Sequence, residues 1–180
     1  MITTILINIV CSIIASTIFL FIVLYTLRPK IDISHYISKQ LNTFDNIPAS
    51  VYMFKIINKS FFSAFDIHLE LFKMEQYRVT ATGNNYRIKV VPLIISNIKH
   101  LPPFKSTGSC KKTSLAPHCT LFRTTEPLEE LLVKENDTLQ LQITLRHGLT
   151  SLSRVYRKDY ISTKDIKTAP FTFGNSLEID

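Results

Sequence analysis

LQLQITLR, at residues 139–146, shows most clearly what kind of fold this chain adopts. Apolar and polar side chains alternate there with a period of two, which is the pattern of a β-strand with one buried face. The segment FDIHLEL, at residues 65–71, repeats the alternation. Its core-facing residues are predicted to be Phe65, Ile67, Leu69 and Leu71. Both segments therefore predict strands of a half-buried sheet.

The rest of the chain after the N-terminal segment also reads as short strands separated by turn residues. Further strands are predicted at residues 31–37, 51–57, 86–95, 153–161, 171–173 and 177–179, and only residues 126–133 have the pattern of a short helix. About seven short strands without crossover helices exclude a parallel α/β fold. We therefore predict an all-β domain, an antiparallel immunoglobulin-like β-sandwich, with a β-barrel as the alternative.

One segment resembles a known family. Residues 51–71 read VYMFKIINKSFFSAFDIHLEL, which is similar to the strand, Asn-x-Ser turn, Ala-x-Asp and strand pattern of bacterial immunoglobulin-like modules of the CARDB type. Asn58 and Ser60 would cap the turn through side-chain to backbone hydrogen bonds, and Ala64 and Asp66 would start the next strand. The resemblance implies an adhesive or structural module rather than an enzyme.

The N-terminal segment is apolar and is predicted to cross a membrane. Residues 2–27 contain no Asp, Glu, Lys, Arg or His, and a helix over them would be about 39 Å long. A bilayer core of about 30 Å needs about 20 apolar residues. A cleaved signal peptide is the alternative, but the run is too long for one and has neither a preceding Lys or Arg nor a small-x-small cleavage site. We predict a retained transmembrane anchor at residues 1–29 and a β domain at residues 30–180.

The charges around the anchor predict its orientation. Arg28, Lys30 and Lys39 follow the apolar run, whereas the side before it carries only the α-amino group. By the positive-inside rule, the domain should lie on the cytoplasmic side of the membrane. The richness of the chain in Ile, Lys and Asn indicates a bacterial origin, so we expect a single-pass protein of the inner or plasma membrane.

A stripe of small and polar residues runs along the predicted anchor. Its members are Thr4, Asn8, Ser12, Ala15 and Ser16. Because small residues let two membrane helices approach closely, Asn8, Ser12, Ala15 and Ser16 are candidates for helix association. The alternative is that these side chains meet lipid headgroups, or that the hydroxyls bond back to their own helix.

The net charge of +7 is concentrated in one block of the sequence. Residues 76–125 contain eight Lys or Arg and no Asp or Glu, while the other 13 basic and 14 acidic residues sum to −1. Residues 96–119 are predicted to be a long basic loop, because Pro and Gly interrupt any regular element there. The candidates for binding an anionic partner are Arg87, Lys89, Lys99, Lys105, Lys111, Lys112 and Arg123.

This basic block fits several kinds of partner. Close to a membrane it could dock on anionic headgroups of the lipid bilayer, and it could equally contact an anionic ligand or a protein partner, including a second copy of the chain. The alternative is a solvated loop that is basic without a binding role. Specific nucleic-acid binding is not expected, because the block has no RNP-like, KH or zinc-finger spacing.

Two cysteines lie close together in the predicted loop. Cys110 and Cys119 are separated by eight residues and could form a disulfide in an oxidising compartment. That would fit the alternative of an extracytoplasmic cell-envelope domain with a structural or adhesive role. In a reducing cytoplasm both would stay thiols. Together with His118 they match no zinc-binding spacing, so we predict no metal site and no cofactor.

No catalytic motif occurs in the sequence. The chain lacks Gly-x-Ser-x-Gly, a Gly-rich phosphate loop ending in Lys and Ser or Thr, and His-Glu-x-x-His. Glu129 and Glu130 are adjacent and should point apart. His147 and Gly148 read as a turn in which Gly148 is free to adopt a positive φ. We therefore predict a membrane-anchored, non-catalytic binding module, such as a tethered sensor or effector with a basic surface.

Overall fold

The computed structural model describes residues 2–26, 30–41, 50–79, 83–133, 136–148 and 151–180. Its elements in chain order are α1 (Ile2–Thr26), β1 (Ile31–Ile33), β2 (Ile37–Leu41), β3 (Ser50–Asn58), β4 (Ala64–Arg78), β5 (Asn84–Val91), β6 (Asn97–Leu101), α2 (Thr107–Thr113), β7 (Cys119–Thr124), α3 (Leu128–Leu131), β8 (Asp137–His147), β9 (Ser153–Tyr160) and β10 (Ile166–Lys167). A 3-10 turn at Thr163–Asp165 precedes β10. Leu27, Arg28 and Pro29, predicted at the end of the anchor, lie outside the described residues.

The first sheet, sheet A, is built around β3. One edge of β3 pairs with β7 in antiparallel register, with Phe54 opposite Phe122. The other edge pairs with β2 along its first half and with β1 along its second half. The short strand β10 then runs parallel to β2. Among the described residues, β7 and β10 are therefore the two outer strands of sheet A.

The second sheet, sheet B, is built around the 15-residue strand β4. One edge of β4 pairs with β8, which in turn pairs with β9. The other edge pairs with β6 near the start of β4 and with β5 near its end. All of these pairings are antiparallel. As a result β5 and β6 both lie along the edge of β4 that is opposite to β8.

Side chains from both sheets form one hydrophobic core. Sheet A contributes Tyr52, Phe54 and Ile56 of β3 among others, and sheet B contributes alternate residues of β4 and β8 such as Leu71 and Leu141. Full burial of a Leu, Ile or Phe side chain is worth about 1.5–3 kcal/mol. This shared core is the arrangement of a two-sheet β-sandwich. The coarse prediction of a mostly β domain behind one apolar helix is thereby confirmed.

Helix α1 is long and apolar enough to cross a membrane. Its span Ile2–Tyr25 has 24 residues with a mean hydropathy of 2.6. The Ser12 hydroxyl donates to the carbonyl of Asn8 at 2.8 Å, and the Thr17 hydroxyl donates to the carbonyl of Ile13 at the same distance. The Ser12 hydroxyl thus bonds within its own helix, which is compatible with either interpretation of the stripe. Association of α1 with another helix stays a prediction.

The start of β4 differs from the sequence prediction. Phe65, which we expected in the core, is 36% exposed, while Ile67, Leu69 and Leu71 are buried as expected. The register between β4 and β8 shifts between Phe65 and His68, and Asp66 has a φ of 47°. This is a β-bulge, which adds one residue and turns Phe65 out of the core.

The predicted long loop is also more regular than expected. Residues 96–119 contain the whole of β6 and α2. Strand β6 forms because His100 and its neighbours pair with the bulged start of β4. Residues 31–37 are not one strand but fall into β1 and the start of β2. Residues 171–173 and 177–179 are joined by a single bridge between Phe171 and Ile179 rather than by a ladder. The short helix predicted at residues 126–133 is confirmed as α3.

Candidate anion-binding site

The outer face of sheet A carries side chains that point away from the core. Along β3, Tyr52, Phe54 and Ile56 belong to the core. Successive side chains of a strand alternate between faces, so Lys55 and Ile57 point outward. Both are nevertheless buried, with exposed fractions of 5% for Lys55 and 0% for Ile57. Another part of the chain must therefore cover this face.

The covering segment is residues 169–175, here termed the strap. One side chain from each of three strands holds it: Ser38 Oγ of β2 donates to the Ala169 carbonyl at 2.6 Å, Lys55 Nζ of β3 to the Thr172 carbonyl at 2.5 Å, and Cys119 Sγ of β7 to the Gly174 carbonyl at 3.3 Å. The strap thus crosses sheet A from β2 to β7. Its backbone at Gly174 has a φ of 79°, a conformation that favours glycine.

Lys55 is the most unusual residue beneath the strap. Its ammonium group donates to the main-chain carbonyl of Thr172 and lies 6.0 Å from the centre of the Phe171 ring. No carboxylate of the described residues forms an ion pair with it. Burial lowers the pKa of Lys55, and the Cys119 thiol and Asp180 carboxylate oppose this effect only in part. Lys55 is therefore a buried cation whose charge is incompletely compensated.

A groove opens beside the strap, directly over Lys55. Its cavity volume is about 480 Å³, and it is lined by β7, by residues 114–116 and by strap residues 171–174. The lining includes the side chains of Lys55 and Arg123 but no Asp or Glu. Leu115 and Phe173 are more than half exposed and give the groove apolar walls. A site with two cations and apolar walls is suited to an anionic group attached to an apolar body.

The cysteines beside the groove are free thiols. Cys119 donates to the strap, whereas Cys110, which is fully buried on α2, lies 3.9 Å from the carbonyl oxygen of Lys105. The disulfide that an oxidising compartment would allow is not formed in the structure. Burial raises the pKa of the Cys119 thiol, although the positive charge of Lys55 opposes the shift. Cys119 therefore lacks the lowered pKa of a reactive cysteine.

His118 fastens the end of the strap. Its Nε2 is hydrogen-bonded to Asn175 Oδ1, while Asn175 Nδ2 donates to the Lys105 carbonyl and to the Thr107 hydroxyl. These two donations fix the Asn175 oxygen as an acceptor, so His118 carries its proton on Nε2. The ring is fully buried and packs edge-on against Phe104, with 5.3 Å between the ring centres. His118 thus serves as an internal structural link.

The basic residues predicted from the sequence occupy one side of the domain but do not form a single site. Arg123 lines the groove. Lys105 precedes α2, and Lys111 and Lys112 form its last turn, where positive charge complements the helix dipole. Arg87, Lys89 and Lys99 lie on β5 and β6 and do not line the groove. All seven are exposed.

The connection between β5 and β6 explains why these residues share one side. The Ile94 amide donates to the Arg123 carbonyl at 2.8 Å, and the Thr124 hydroxyl donates to the Pro92 carbonyl at 2.7 Å. The connection therefore reaches from the edge of sheet B to β7, at the edge of sheet A. These two hydrogen bonds bring the β5–β6 connection and β7, two separate parts of the acid-free block, into contact.

Sequence reasoning did not single out Lys55. A signal was present, because it is the single charged residue in the otherwise apolar strand segment VYMFKII at residues 51–57. A lysine is rarely buried unless it is paired. The missing information was the covering segment, since the carbonyl that Lys55 contacts lies 117 residues further along the chain.

A second charged cluster lies at the start of α3. Lys39 donates to both carboxylate oxygens of Glu129, at 2.7 and 2.9 Å, and the Tyr52 hydroxyl donates to the same group at 3.2 Å. The hydrogen bond from Lys39 lowers the pKa of Glu129 despite partial burial. Glu130 is exposed and does not share this cluster, so the two adjacent carboxylates point apart as expected. The cluster ties α3 to β2 and β3.

Gly148 does not adopt the positive φ that the sequence suggested. Its amide donates to the Ser63 carbonyl at 3.0 Å, so the two backbones approach closely. Glycine is needed at this position for space rather than for conformation.

A scan of the chain against models of known protein families finds no match, and a search among curated proteins finds none either.

Proposed function

We propose that this chain is a non-catalytic binding module, tethered to a membrane by α1, that holds an anionic group of its partner in the groove beside the strap. The observation that carries the proposal is the buried ammonium group of Lys55, which has a carbonyl as its hydrogen-bond acceptor and forms no ion pair with a described carboxylate. An anion entering the groove would compensate a charge that the fold leaves incompletely neutralised.

The energetics favour an anion over a neutral ligand. A buried charge is costly unless it is paired and hydrogen-bonded, and hydrogen bonds between two charged groups are about twice as strong as neutral ones. Arg123 adds an exposed guanidinium group to the same groove, and this group suits bidentate contact with a carboxylate or phosphate. The groove volume of about 480 Å³ is typical of sites for small ligands or single side chains.

Helix α1 would determine where in the cell binding takes place. We infer that α1 keeps the domain at the inner or plasma membrane of a bacterial cell, with the domain on the cytoplasmic side. The positive charges that follow α1, including Lys30 and Lys39, support this orientation. Such a module would act as a tethered sensor or effector for an anionic signal.

We further propose that the domain is immunoglobulin-like, of the CARDB type suggested by residues 51–71. The turn in this segment supports the proposal: Asn58 Oδ1 accepts from the Ser60 amide at 2.9 Å, and Asn58 Nδ2 donates to the Phe62 carbonyl at 3.0 Å. Ala64 then opens β4, as the resemblance implies.

Binding is tested with the full chain in nanodiscs of phosphatidylcholine, titrated with inorganic phosphate and followed by NMR. We expect K55M and R123M each to weaken phosphate binding by about tenfold or more, which corresponds to about 1.4 kcal/mol. K164M is the matched control, because Lys164 is exposed on the 3-10 turn and does not line the groove. Equal affinities in all four proteins, or no binding by the parent chain, would contradict the proposal.

The same titration distinguishes a free anion from a lipid headgroup. If headgroups occupy the groove, phosphatidylserine in the nanodisc should compete with phosphate and weaken its apparent affinity in the parent chain but not change the residual binding of K55M. If the ligand is a free anion, the lipid composition should leave the phosphate affinity unchanged.

Orientation is tested with an impermeant thiol reagent on intact cells. Because Cys110 is fully buried and Cys119 partly so, an exposed reporter such as K164C gives a cleaner signal than the native thiols. Labelling of K164C only after lysis is the expected result. Labelling in intact cells would place the domain outside the cytoplasm, as in the cell-envelope alternative.

A further inference from the structure

Strand β5 is an edge strand with one side open. It pairs with β4 over Asn84–Val91, and the described residues provide no strand on its other side. An unpaired edge presents a row of backbone N–H and C=O groups that can pair with another chain. Proteins usually protect such edges with proline, a bulge, a covering segment or charged side chains, and β5 carries charged side chains at Arg87 and Lys89. β5 has no proline and no register shift along its pairing with β4.

The side chains of β5 alternate between apolar and basic. Tyr86, Ile88 and Val90 point to one face and are 56%, 61% and 64% exposed. Arg87 and Lys89 point to the other face and are also exposed. A strand with this pattern offers both backbone pairing and two chemically different faces to a neighbour.

The apolar face of β5 continues onto β4. Val90 lies opposite Phe72 and Ile88 lies opposite Met74, and these two β4 side chains are half-buried. Together these four residues form an apolar strip on the outer surface of sheet B. Apolar side chains of an added strand would extend this strip, as cross-strand pairs do within a sheet.

The basic residues on one face of β5 determine which charge an added strand should carry. Arg87 lies opposite Glu75, but Glu75 already forms an ion pair with Lys73 at 2.8 Å. Lys89 lies opposite Lys73 itself. An acidic side chain on an added strand, placed opposite Arg87 or Lys89, would gain attraction from both basic residues.

The same face disfavours pairing of β5 with a second copy of itself. In antiparallel self-pairing centred on residue 87, 88 or 89, a basic side chain of one copy lies opposite Arg87 or Lys89 of the other. Like charges placed directly opposite each other destabilise a sheet. Charge complementarity therefore favours a different, acidic strand.

We propose that β5 accepts an extended segment of a partner protein, with alternating apolar and acidic residues, as an added antiparallel strand of sheet B. Its apolar residues would lie beside Tyr86, Ile88 and Val90, and its acidic residues beside Arg87 and Lys89. Peptide segments bind exposed sheet edges in this way in several domain families. The residues of β5 do not line the groove beside the strap, so the inference stands independently of the proposed anion site.

The probe is a capped nine-residue peptide of alternating valine and glutamate, titrated into the full chain in phosphatidylcholine nanodiscs. Matched peptides of alternating valine and lysine, and of valine and threonine, test charge. We expect the glutamate peptide to bind about tenfold more tightly than the threonine peptide and the lysine peptide to bind more weakly than both. Bound glutamate peptide should slow hydrogen exchange of β5 amides, because they gain backbone partners.

Charge reversal provides the decisive variant. R87E/K89E should reverse the preference, so that the lysine peptide binds more tightly than the glutamate peptide. K111E/K112E, which makes the same change of net charge on α2, should leave the order of the peptides unchanged. Equal binding of the three peptides, binding without protection of β5, or a β5-mediated dimer in sedimentation experiments would each overturn the proposal.

Discussion

The ammonium group of Lys55 and the main-chain carbonyl of Thr172 are joined by a 2.5 Å hydrogen bond across 117 residues of sequence. Lys73 provides the contrasting arrangement in the same domain. It is 8% exposed and forms ion pairs with Glu75 at 2.8 Å and with Asp137 at 3.2 Å. Of the two buried lysines in the described part of the chain, one thus has acidic partners and the other is held by a carbonyl.

This contrast predicts that the same substitution changes stability by different amounts at the two positions. K55M removes a buried charge without stranding an acid, so we expect the free energy of unfolding to change by less than about 1 kcal/mol. K73M leaves Asp137 buried without its lysine, because Asp137 is only 2% exposed. We expect K73M to lower the free energy of unfolding by about 3 kcal/mol. Urea unfolding of both variants, followed by circular dichroism, measures the difference. A larger loss for K55M than for K73M would contradict this account.

A double substitution tests the Lys73 pair further. K73M/D137L replaces both charges with apolar side chains of similar size, so no buried acid is left without its lysine. Glu75 also loses its ion pair with Lys73, but its side chain is 29% exposed and reaches water. We expect it to recover most of the stability lost in K73M, because a buried ion pair is often no more stabilising than apolar packing. The coupling is read from the double-mutant cycle of unfolding free energies. Additive losses would show that Lys73 and Asp137 do not act as a pair.

Tyr160 should make the fold sensitive to alkali. Its side chain is fully buried, its hydroxyl donates to the Ser34 carbonyl at 2.8 Å, and burial raises its pKa well above the ordinary value. A folded-state pKa above the unfolded one gives stability that is present below about pH 10 and is lost as the pH rises further.

The measurement compares the parent chain with Y160F between pH 8 and 12. Y160F should lose about 1 kcal/mol at pH 8 through the missing hydrogen bond, and its stability should then fall less steeply above about pH 10. If the free energy of unfolding fell equally steeply with pH in Y160F and in the parent chain, Tyr160 would not ionise on unfolding.

Gly148 and Gly108 form a natural pair of test positions. A Cβ at Gly148 would lie 2.7 Å from Phe65 Cε2 and 2.9 Å from the Ser63 carbonyl oxygen, whereas a Cβ at Gly108 meets no atom within 4 Å. G148A should therefore destabilise the domain by about 1–3 kcal/mol through overpacking. G108A lies in α2 and should be neutral or stabilising by up to about 1 kcal/mol. Thermal unfolding of both variants tests the ranking, and equal midpoints would contradict it.

The alternation of side chains predicted the strands with one buried face. Leu139, Leu141, Ile143 and Leu145 all face the core, because a period of two has a single consistent interpretation over a whole strand. The prediction for Phe65 was wrong because one extra residue, at the bulge around Asp66, reverses the alternation locally. No local pattern in the sequence marks that insertion.

The groove could not be predicted because its parts come from distant segments. Arg123 was identified by its place in the acid-free block, but Lys55 depends on the strap, and the strap carries no repeat or motif. Period-two reasoning assigns Lys55 to the outer face of β3 and would leave it in solvent. The correct environment follows only once residues 169–175 are placed across sheet A.

The order of synthesis determines when the strap can cover the outer face of sheet A. Residues 169–175 leave the ribosome after every strand of sheet A, while α1 emerges ahead of all of them. Until then Lys55 and Cys119 lie on a sheet face that is open to water and to chaperones. At translation speeds of about 5–20 residues per second, the other strands of sheet A are therefore complete while this face still lacks its cover.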